Sequence, residues 1–349
     1  MITIERMLID TTEKLFKQTC TKELINDSEN GIFPKIFWNE LDSMGITTIG
    51  VPEDCDGSGF TKLDAFAVLK IAGSFAAPIP LAESIIANWQ YVELGLPLPN
   101  TKQTISMINE DVDLQQHSEG WIINGTFNRV PFTQWADELV SPVKTTTGKW
   151  YLLTIPLNLT TTAPDSNIAG ESRNKVICQN TSINSSQVIA MTPEHAAQFI
   201  HETLLGRTMM MAGALQQILT MSIHHAKERQ QFGRPIGKFQ AIKQQLAVLT
   251  GLATSANVIA DSAATATVDN IQFQTEVKIA KTYISQSISK AVPIAHQIHA
   301  AIGFTHEHPL HQYTRRLWSW RDEYGSEAFW AKQIGENVLS SSKSLWNQL

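Results

Sequence analysis

A cation, an aromatic ring and an amide surround one turn in the segment ERQQFGRPIGKFQAIKQQL, residues 228–246. Arg229 belongs to the helical pattern before the turn, Gly233 ends that pattern, and Phe239 and Gln240 open the next one. A guanidinium can pair with a pyrophosphate, an aromatic ring can pack on a planar heterocycle, and an amide can hydrogen-bond to its polar edges. The set suits a dinucleotide, although two helices joined by a turn would also contain the glycine.

Half of the ten histidines lie close together near the end of the chain. Imidazole is a common metal ligand. However, this stretch holds no cysteine, its one carboxylate is Glu307, and Pro309 interrupts any single helix through it. We therefore predict surface or hydrogen-bonded histidines and no metal site. The five are His296, His299, His306, His308 and His311.

Composition and missing motifs exclude several classes of protein. The sequence contains no P-loop, Rossmann, nucleophile-elbow or H-E-x-x-H signature. A net charge of −6 offers no basic surface for nucleic acid. The three cysteines are widely spaced, which predicts free thiols rather than disulfides or a zinc site. No run reaches the roughly 18 apolar residues of a membrane span, so we expect a cytoplasmic protein that does not enter the membrane.

The N-terminal part of the chain has a helical pattern. Apolar residues recur at helical spacing through three segments, and Pro78 and Pro80 follow the last of them. We therefore predict an N-terminal helical domain over residues 1–100. The three segments are 8–16, 34–41 and 63–76.

The middle of the chain has strand signals. Asn124-Gly125 separates two apolar runs and predicts a β-hairpin turn, and Trp150–Ile155 predicts a further strand. Residues 156–187 are rich in Thr, Asn and Ser, which predicts long polar loops. Residues 101–190 are thus expected to form a small β domain.

Helical periodicity returns after the β domain and continues to the end of the chain. Thr192-Pro193-Glu194 has the order of an N-cap, a first-turn proline and an acidic residue. Four long helical segments follow, which predict a C-terminal four-helix bundle over residues 191–349 and an α+β fold overall. The last three segments are 242–266, 275–300 and 315–339.

Four ordered stretches resemble the acyl-CoA dehydrogenase family. RQQFGRPIGKFQ, from Arg229, is similar to its R-x-x-F-G-x-x-x-x-x-x-Q motif, and QIHAAIGFTHEHP, from Gln297, to its Q-x-x-G-G-x-G-[YF]-x-x-E-x-P segment. GITTIGVPEDCDGSGF, from Gly45, resembles an N-terminal stretch of the family, and GWIINGTFNRVPF, from Gly120, a middle-domain stretch. Because the resemblance extends over nearly the whole chain, it supports the three-part order above.

The resemblance implies an oxidoreductase that oxidises an acyl-CoA thioester to its trans-2-enoyl form. Members bind FAD between subunits and pass electrons to an electron-transfer flavoprotein. A carboxylate removes the α proton while the β hydride passes to the flavin. The residues that the resemblance assigns to FAD are Arg229, Gln231, Phe232, Gln240, Gln297, Ala300, Ala301 and Ser326.

Three departures from the family pattern affect the flavin pocket. Ala300-Ala301 stands where the family has Gly-Gly, which adds two methyl groups where backbone approaches the cofactor. The middle domain reads INEDVD (108–113) and RVP (129–131) where the family has a T-E-P-x-A-G-S-D loop and a W-I-[TS] strand. The resemblance therefore implies that half of the flavin pocket is missing from this chain.

The catalytic base of the family is also missing. Tyr324 stands where many members have a Glu in a Y-E-G-T motif, and a phenol with an ordinary pKa of about 10 is a poor base at pH 7. Other members have the Glu on the first bundle helix, where this chain has Gly206 and Arg207. The remaining candidates are Glu202, Glu323 and Tyr324 itself.

Three hypotheses follow from this pattern. The leading one is a subunit of a heteromeric α2β2 dehydrogenase, as in steroid side-chain oxidation, whose partner supplies the catalytic Glu. The second is a self-sufficient homo-oligomeric acyl-CoA dehydrogenase that uses Glu323 or Glu202, and the third is a flavin-free structural or regulatory subunit. With 17% charged residues, against roughly a quarter in ordinary domains, the chain has apolar surface available for subunit contacts. We expect an oligomer acting on fatty or steroid side-chain acyl-CoA.

Overall fold

Helices occupy both ends of the chain and strands its middle in the computed structural model, which describes residues 4–107, 109–118, 120–266 and 270–340. The chain divides into two compact units. One comprises Met1–Leu69 and Ala77–Thr203, and the other Lys70–Ala76 and Leu204–Leu349. The order of helical, β and helical regions confirms the predicted fold class. The domain boundaries at residues 100 and 190 stay a prediction.

The first region contains five helices. Its first helix buries Leu8, Thr12 and Phe16 on one face, in agreement with the apolar spacing. The fifth helix, which the sequence analysis did not predict, is buried on nearly every side, so it has no amphipathic stripe that periodicity could detect. Its Trp89 packs on Phe66, with ring centroids 5.4 Å apart. The helices are α1 (Ile4–Thr19), α2 (Lys22–Glu29), α3 (Lys35–Ser43), α4 (Lys62–Ser74) and α5 (Leu81–Glu93).

The β region consists of two four-stranded sheets that share one core of buried aliphatic and aromatic side chains. In order along each sheet, the strands are β1-β4-β5-β8 and β2-β3-β7-β6. Their bounds are β1 (Gln103–Ile105), β2 (Asn109–His117), β3 (Gly120–Pro131), β4 (Glu138–Lys144), β5 (Trp150–Pro156), β6 (Thr161–Ala163), β7 (Arg173–Ile183) and β8 (Val188–Met191).

Two expectations for the β region are wrong. Asn124-Gly125 is not a hairpin turn but lies inside β3, at a register shift against β7, where the Asn124 Oδ1 atom accepts a hydrogen bond from the Asn180 backbone N–H at 2.7 Å. The side chain thus occupies an irregular position in the ladder. The stretch expected to be long polar loops contains β6 and the eleven-residue β7. Buried and exposed residues alternate along β7, and its exposed polar residues gave it the composition of a loop.

The second region contains five helices and a two-stranded hairpin. Thr192 caps the first helix by accepting the His195 N–H at 3.1 Å, as predicted. The helix predicted over 315–339 is wrong as one element, because left-handed Tyr324 and Gly325 (φ +59° and +103°) divide it. The elements are α6 (Pro193–Glu228), β9 (Gln230–Gln231), β10 (Arg234–Pro235), α7 (Gln240–Thr265), α8 (Asn270–His299), α9 (Leu310–Asp322) and α10 (Glu327–Ser340).

Two close contacts join residues 70–76 to the bundle within the second unit. A Cβ atom at Gly73 would lie 2.0 Å from the Met210 carbonyl oxygen, so only glycine permits this approach of α4 to α6. The Lys70 ammonium pairs with the Asp261 carboxylate of α7 at 2.6 Å. Backbone packing and an ion pair therefore fix this end of α4 against the bundle.

Candidate functional site

The two positions at which the family resemblance places a base lie side by side in the second unit. Arg207 on α6 pairs with Glu323 at the end of α9, with 3.0 Å between Nε and Oε2. The guanidinium also lies over the Trp320 ring at 5.3 Å and over the Tyr324 ring at 5.8 Å. Arg207 and Glu323 are both buried. At the two base positions this chain has Arg207 and Tyr324, and the adjacent Glu323 is held in a buried ion pair.

A buried lysine that the sequence analysis missed completes this cluster. The Lys281 ammonium on α8 donates to the Trp320 carbonyl oxygen at 2.6 Å and contacts the Met211 sulfur at 3.7 Å. Burial lowers its pKa to about 7. Its position could have revealed it, because Lys281 lies four residues after Val277 and three before Ile284, on the apolar face of the helix.

The turn between α9 and α10 is fixed from both sides. The Trp330 indole N–H donates to the Tyr324 carbonyl oxygen at 3.0 Å, and the Ser326 hydroxyl accepts from the Phe329 N–H at 3.4 Å. The single Nε–H of Arg321 is shared between the two oxygens of the Glu327 carboxylate, at 3.0 and 3.1 Å. In this structure Ser326, which the resemblance assigns to FAD, caps α10.

Glu202 lies in the first unit and is saturated with donors. Its buried carboxylate accepts from Gln90 at 3.0 Å, from Gln198 at 2.8 Å and from the Lys62 ammonium at 2.5 Å. Burial and the nearby Glu93 raise the pKa of Glu202, while Lys62 and the Gln198 amide oppose that rise. Lys62 also pairs with Glu93. A carboxylate held by three donors has little freedom to take a proton from a substrate.

The residues expected to hold a dinucleotide are exposed in the second unit. Phe232 and Gly233 form the two-residue turn of the β9–β10 hairpin, both with positive φ, and the Phe232 side chain is 90% exposed. A bulky residue in left-handed backbone is strained, and such strain is typical of functional positions. Within the described parts of the chain, the exposed Arg229 guanidinium has no hydrogen bond or ion pair. Gln231 and Gln240 are exposed as well.

The second segment assigned to FAD begins at the end of α8. Gln297, Ala300 and Ala301 are exposed, and Ala300 has a left-handed backbone with φ +53°. The family has glycine at this position, and glycine adopts that conformation without steric cost. The backbone conformation that a glycine would favour is therefore retained, although the side chain has changed.

The histidines form stacks rather than a ligand set. His299 stacks on His225 with ring centroids 4.6 Å apart, and His308 lies 4.7 Å from His299. Burial lowers the pKa of His225, His296 and His299. Among the residues that the structure describes, no group of three His, Cys, Asp or Glu side chains has a geometry that could hold a metal ion.

The β region differs from the family at the strand expected beside a flavin. Pro131 has no backbone N–H to donate, and its carbonyl oxygen accepts from the buried Thr104 hydroxyl. Arg129 is exposed with φ +54°. The INEDVD stretch begins at Ile108, which lies outside the described residues. These features offer a flavin ring no backbone donor at position 131.

The donor set fits one part of FAD. An unpaired exposed guanidinium, an exposed aromatic ring and exposed amides match a phosphate group and a planar ring approached from outside the subunit. The base positions and Pro131 do not provide for the reacting end of the cofactor. The residues present therefore fit the phosphates and one ring of FAD.

Comparisons with known proteins show the family of this chain. The model of the acyl-CoA dehydrogenase N-terminal domain matches residues 4–96, and that of the C-terminal domain matches residues 195–339. The two matches define an acyl-CoA dehydrogenase fold at both ends of the chain. The chain belongs to the acyl-CoA dehydrogenase family.

Individual relatives and solved structures extend the likeness. Acyl-CoA dehydrogenase IpdE2 of Mycolicibacterium smegmatis is 25% identical over 89% of this chain and 91% of its own length. A chain of the ChsE4–ChsE5 complex of Mycobacterium tuberculosis superimposes with a TM-score of 0.89, at 20% identity, over 97% of this chain and 98% of its own. Butyryl-CoA dehydrogenase of Megasphaera elsdenii gives 0.84, at 18% identity, over 95% and 98%.

Proposed function

We propose that this protein is an FAD-binding subunit of a heteromeric acyl-CoA dehydrogenase, and that its partner subunit supplies the catalytic carboxylate. The Arg207–Glu323 ion pair carries this proposal, because Arg207 stands at one family base position and the carboxylate beside the other, Tyr324, is bound to it. One similar solved structure is a complex of two differently named chains, ChsE4 and ChsE5. Another is described as a steroid acyl-CoA dehydrogenase made of Tcur3481 and Tcur3483. These neighbours support an assembly of two unlike chains.

The reaction requires removal of an α proton by a base and transfer of a β hydride. When bound, FAD supplies the hydride acceptor. In this chain Arg229 would pair with the phosphates, Phe232 would pack against a planar ring, and Gln240 would hydrogen-bond to polar edges. These residues bind and orient the cofactor, and electrons leave through an electron-transfer flavoprotein.

Neither carboxylate candidate is suited to remove the proton. Glu323 is paired with Arg207, and Glu202 is held by Lys62 and two amides. A base must come within about 3 Å of the proton that it takes, and breaking a buried ion pair for this purpose is costly. Tyr324 lies against the Arg207 guanidinium, but as a phenol it remains a weak base at neutral pH. The base is therefore assigned to the partner.

Helix α7 offers a surface for a second subunit. It is long and apolar enough to pass for a membrane span, and only 28% of its most apolar window is buried. One face packs into the bundle through buried leucine and alanine side chains, while Val248 and Val258 on other faces are 52% and 62% exposed. From Gln244 to Ala260 the helix contains no charged residue. An apolar face of this kind favours contact with another subunit in a cytoplasmic assembly.

The test is expression of the chain alone and together with its neighbour-encoded partner, followed by flavin absorbance and turnover with fatty and steroid side-chain acyl-CoA thioesters. We expect the isolated chain to turn over no substrate, and the co-purified assembly to be yellow and active. A yellow, active isolated chain would establish the homo-oligomeric alternative. A colourless assembly with an unflavinated partner would establish a structural subunit instead.

A further inference from the structure

The buried cluster around Arg207 contains more positive groups than negative ones. Arg207 and Lys281 are both buried. The negative charge of Glu323 acts on both, yet its carboxylate pairs with the guanidinium. The partners of the Lys281 ammonium among the described residues are the Trp320 carbonyl oxygen and the Met211 sulfur. A buried cation without a carboxylate partner is expensive, so the amine is the group that gives up its charge.

We propose that Arg207 and Lys281 compete for the single buried carboxylate of Glu323, and that Arg207 acts as a positioning residue that withholds this carboxylate from proton chemistry. Lys281 is then an uncharged amine that donates one hydrogen bond to the end of α9. The carbonyl groups in the last turn of a helix have no partner within the helix, and the amine satisfies one of them. Arg207 fixes the rings of Trp320 and Tyr324 on its two sides.

Four charged groups face Lys281 from the packed elements. Arg207 on α6 lowers its pKa, and Glu323, Asp322 and Glu327 at the α9–α10 turn raise it, but burial has the largest effect. The unfolded chain therefore binds a proton at Lys281 between pH 7 and 10.5 that the folded chain does not bind. Since the unfolded state holds more protons there, the stability of the folded state rises with pH over this range.

The competition predicts opposite shifts for two matched variants. In Arg207→Gln, Glu323 becomes available to Lys281, whose pKa rises, so the increase in stability begins at higher pH. In Glu323→Gln, Lys281 faces Arg207 without the carboxylate, so the increase begins at lower pH. The pH at which stability begins to rise is read from urea denaturation of the whole protein at a series of pH values.

Two controls keep the outcome decisive. Lys281→Met removes the titrating amine and is expected to remove the rise, and the double variant Arg207→Gln/Glu323→Gln covers the case in which a single variant fails to fold. The proposal would be overturned if the pH at which stability begins to rise moved in the same direction in both single variants. It would also be overturned if stability still rose with pH in Lys281→Met.

The claim that Arg207 withholds Glu323 from proton chemistry rests on the proposed function and is tested separately, by turnover. In the flavin-containing assembly, Glu323→Gln is expected to retain turnover, whereas loss of a general base lowers turnover by about 10²- to 10⁴-fold. A loss of that size with flavin retained would show that Glu323 is the base. If the unaltered assembly has neither flavin nor turnover, the proposed function fails, while the pH profiles still decide whether Arg207 and Lys281 share the Glu323 carboxylate.

Discussion

The β9–β10 hairpin and the Arg207 cluster belong to the same unit, but the charged side chain of the hairpin is exposed and those of the cluster are buried. At the hairpin, Arg229 and Phe232 are exposed, and the aromatic ring is held outward in strained backbone. In the cluster, Arg207 and Glu323 form a buried ion pair, and Lys281 is buried with its ammonium on the Trp320 carbonyl oxygen. This contrast matches our proposal that the hairpin shares a cofactor with a partner subunit, while internal contacts occupy the buried Arg207 position.

The largest effect is expected from breaking the buried ion pair. Glu323→Leu leaves Arg207 buried without its carboxylate and should lower the free energy of unfolding by about 3–5 kcal/mol, measured by urea denaturation. Arg207→Met/Glu323→Leu should regain most of that loss because no charge is left unpaired. The control is Glu336→Gln, which removes an exposed pair with Lys332 and should cost less than about 0.5 kcal/mol. Equal losses of stability in Glu323→Leu and Glu336→Gln would show that the buried ion pair matters no more to stability than the exposed one.

The hairpin is expected to lose ligand affinity rather than stability. Arg229→Ala should weaken FAD binding in the flavin-holding assembly by about ten- to a hundredfold, since it removes a charge-assisted hydrogen bond worth about 1.5–3 kcal/mol. Titration of the apo-assembly with FAD measures the dissociation constant. Arg234→Ala is the matched control, because that guanidinium lies over the Phe239 ring at 4.3 Å on the same hairpin. Unchanged FAD affinity in Arg229→Ala would leave the hairpin without a role in cofactor binding.

The family motifs predicted the fold from sequence alone, but not that the two base positions lie close together. Tyr324 and Arg207 were assigned from separate stretches, and the structure brings their side chains together. Sequence did not predict that Glu323 pairs with Arg207, because ion pairing depends on side-chain directions at the ends of two helices. Lys281 was missed because a lysine in a helical pattern normally indicates the solvent face. The prediction of a turn at Asn124-Gly125 was wrong because the Asn124 side chain accepts a hydrogen bond within the sheet.

The exposed face of α7 tests whether apolar surface is also kept for a partner. Val248→Glu places a charge on a face that we propose is buried between subunits, and it should weaken association by at least about tenfold. Light scattering over a dilution series measures the dissociation. Leu159→Glu, at a 50% exposed site in the first unit, is the control and should leave the assembly intact. Unchanged association in Val248→Glu would show that the apolar surface of α7 is not buried between subunits.

The smallest effect is expected where the chain keeps a glycine-like backbone without the glycine. Ala300 has φ +53°, a conformation that costs an L-residue roughly 1 kcal/mol more than glycine. Ala300→Gly relieves that strain but makes the unfolded chain more flexible, so a net gain of up to about 1 kcal/mol is expected. Ala301, the next residue, is not in the left-handed region, and Ala301→Gly should instead cost about 0.5–1 kcal/mol. Thermal denaturation is expected to show a gain in stability for Ala300→Gly and a loss for Ala301→Gly, and equal losses would show that Ala300 carries no strain. Ala300→Gly also removes a methyl group from the segment assigned to FAD, so retained or improved flavin content would accompany the gain if that segment approaches the cofactor. A gain in stability with loss of flavin would mean that the methyl group contributes a contact of its own.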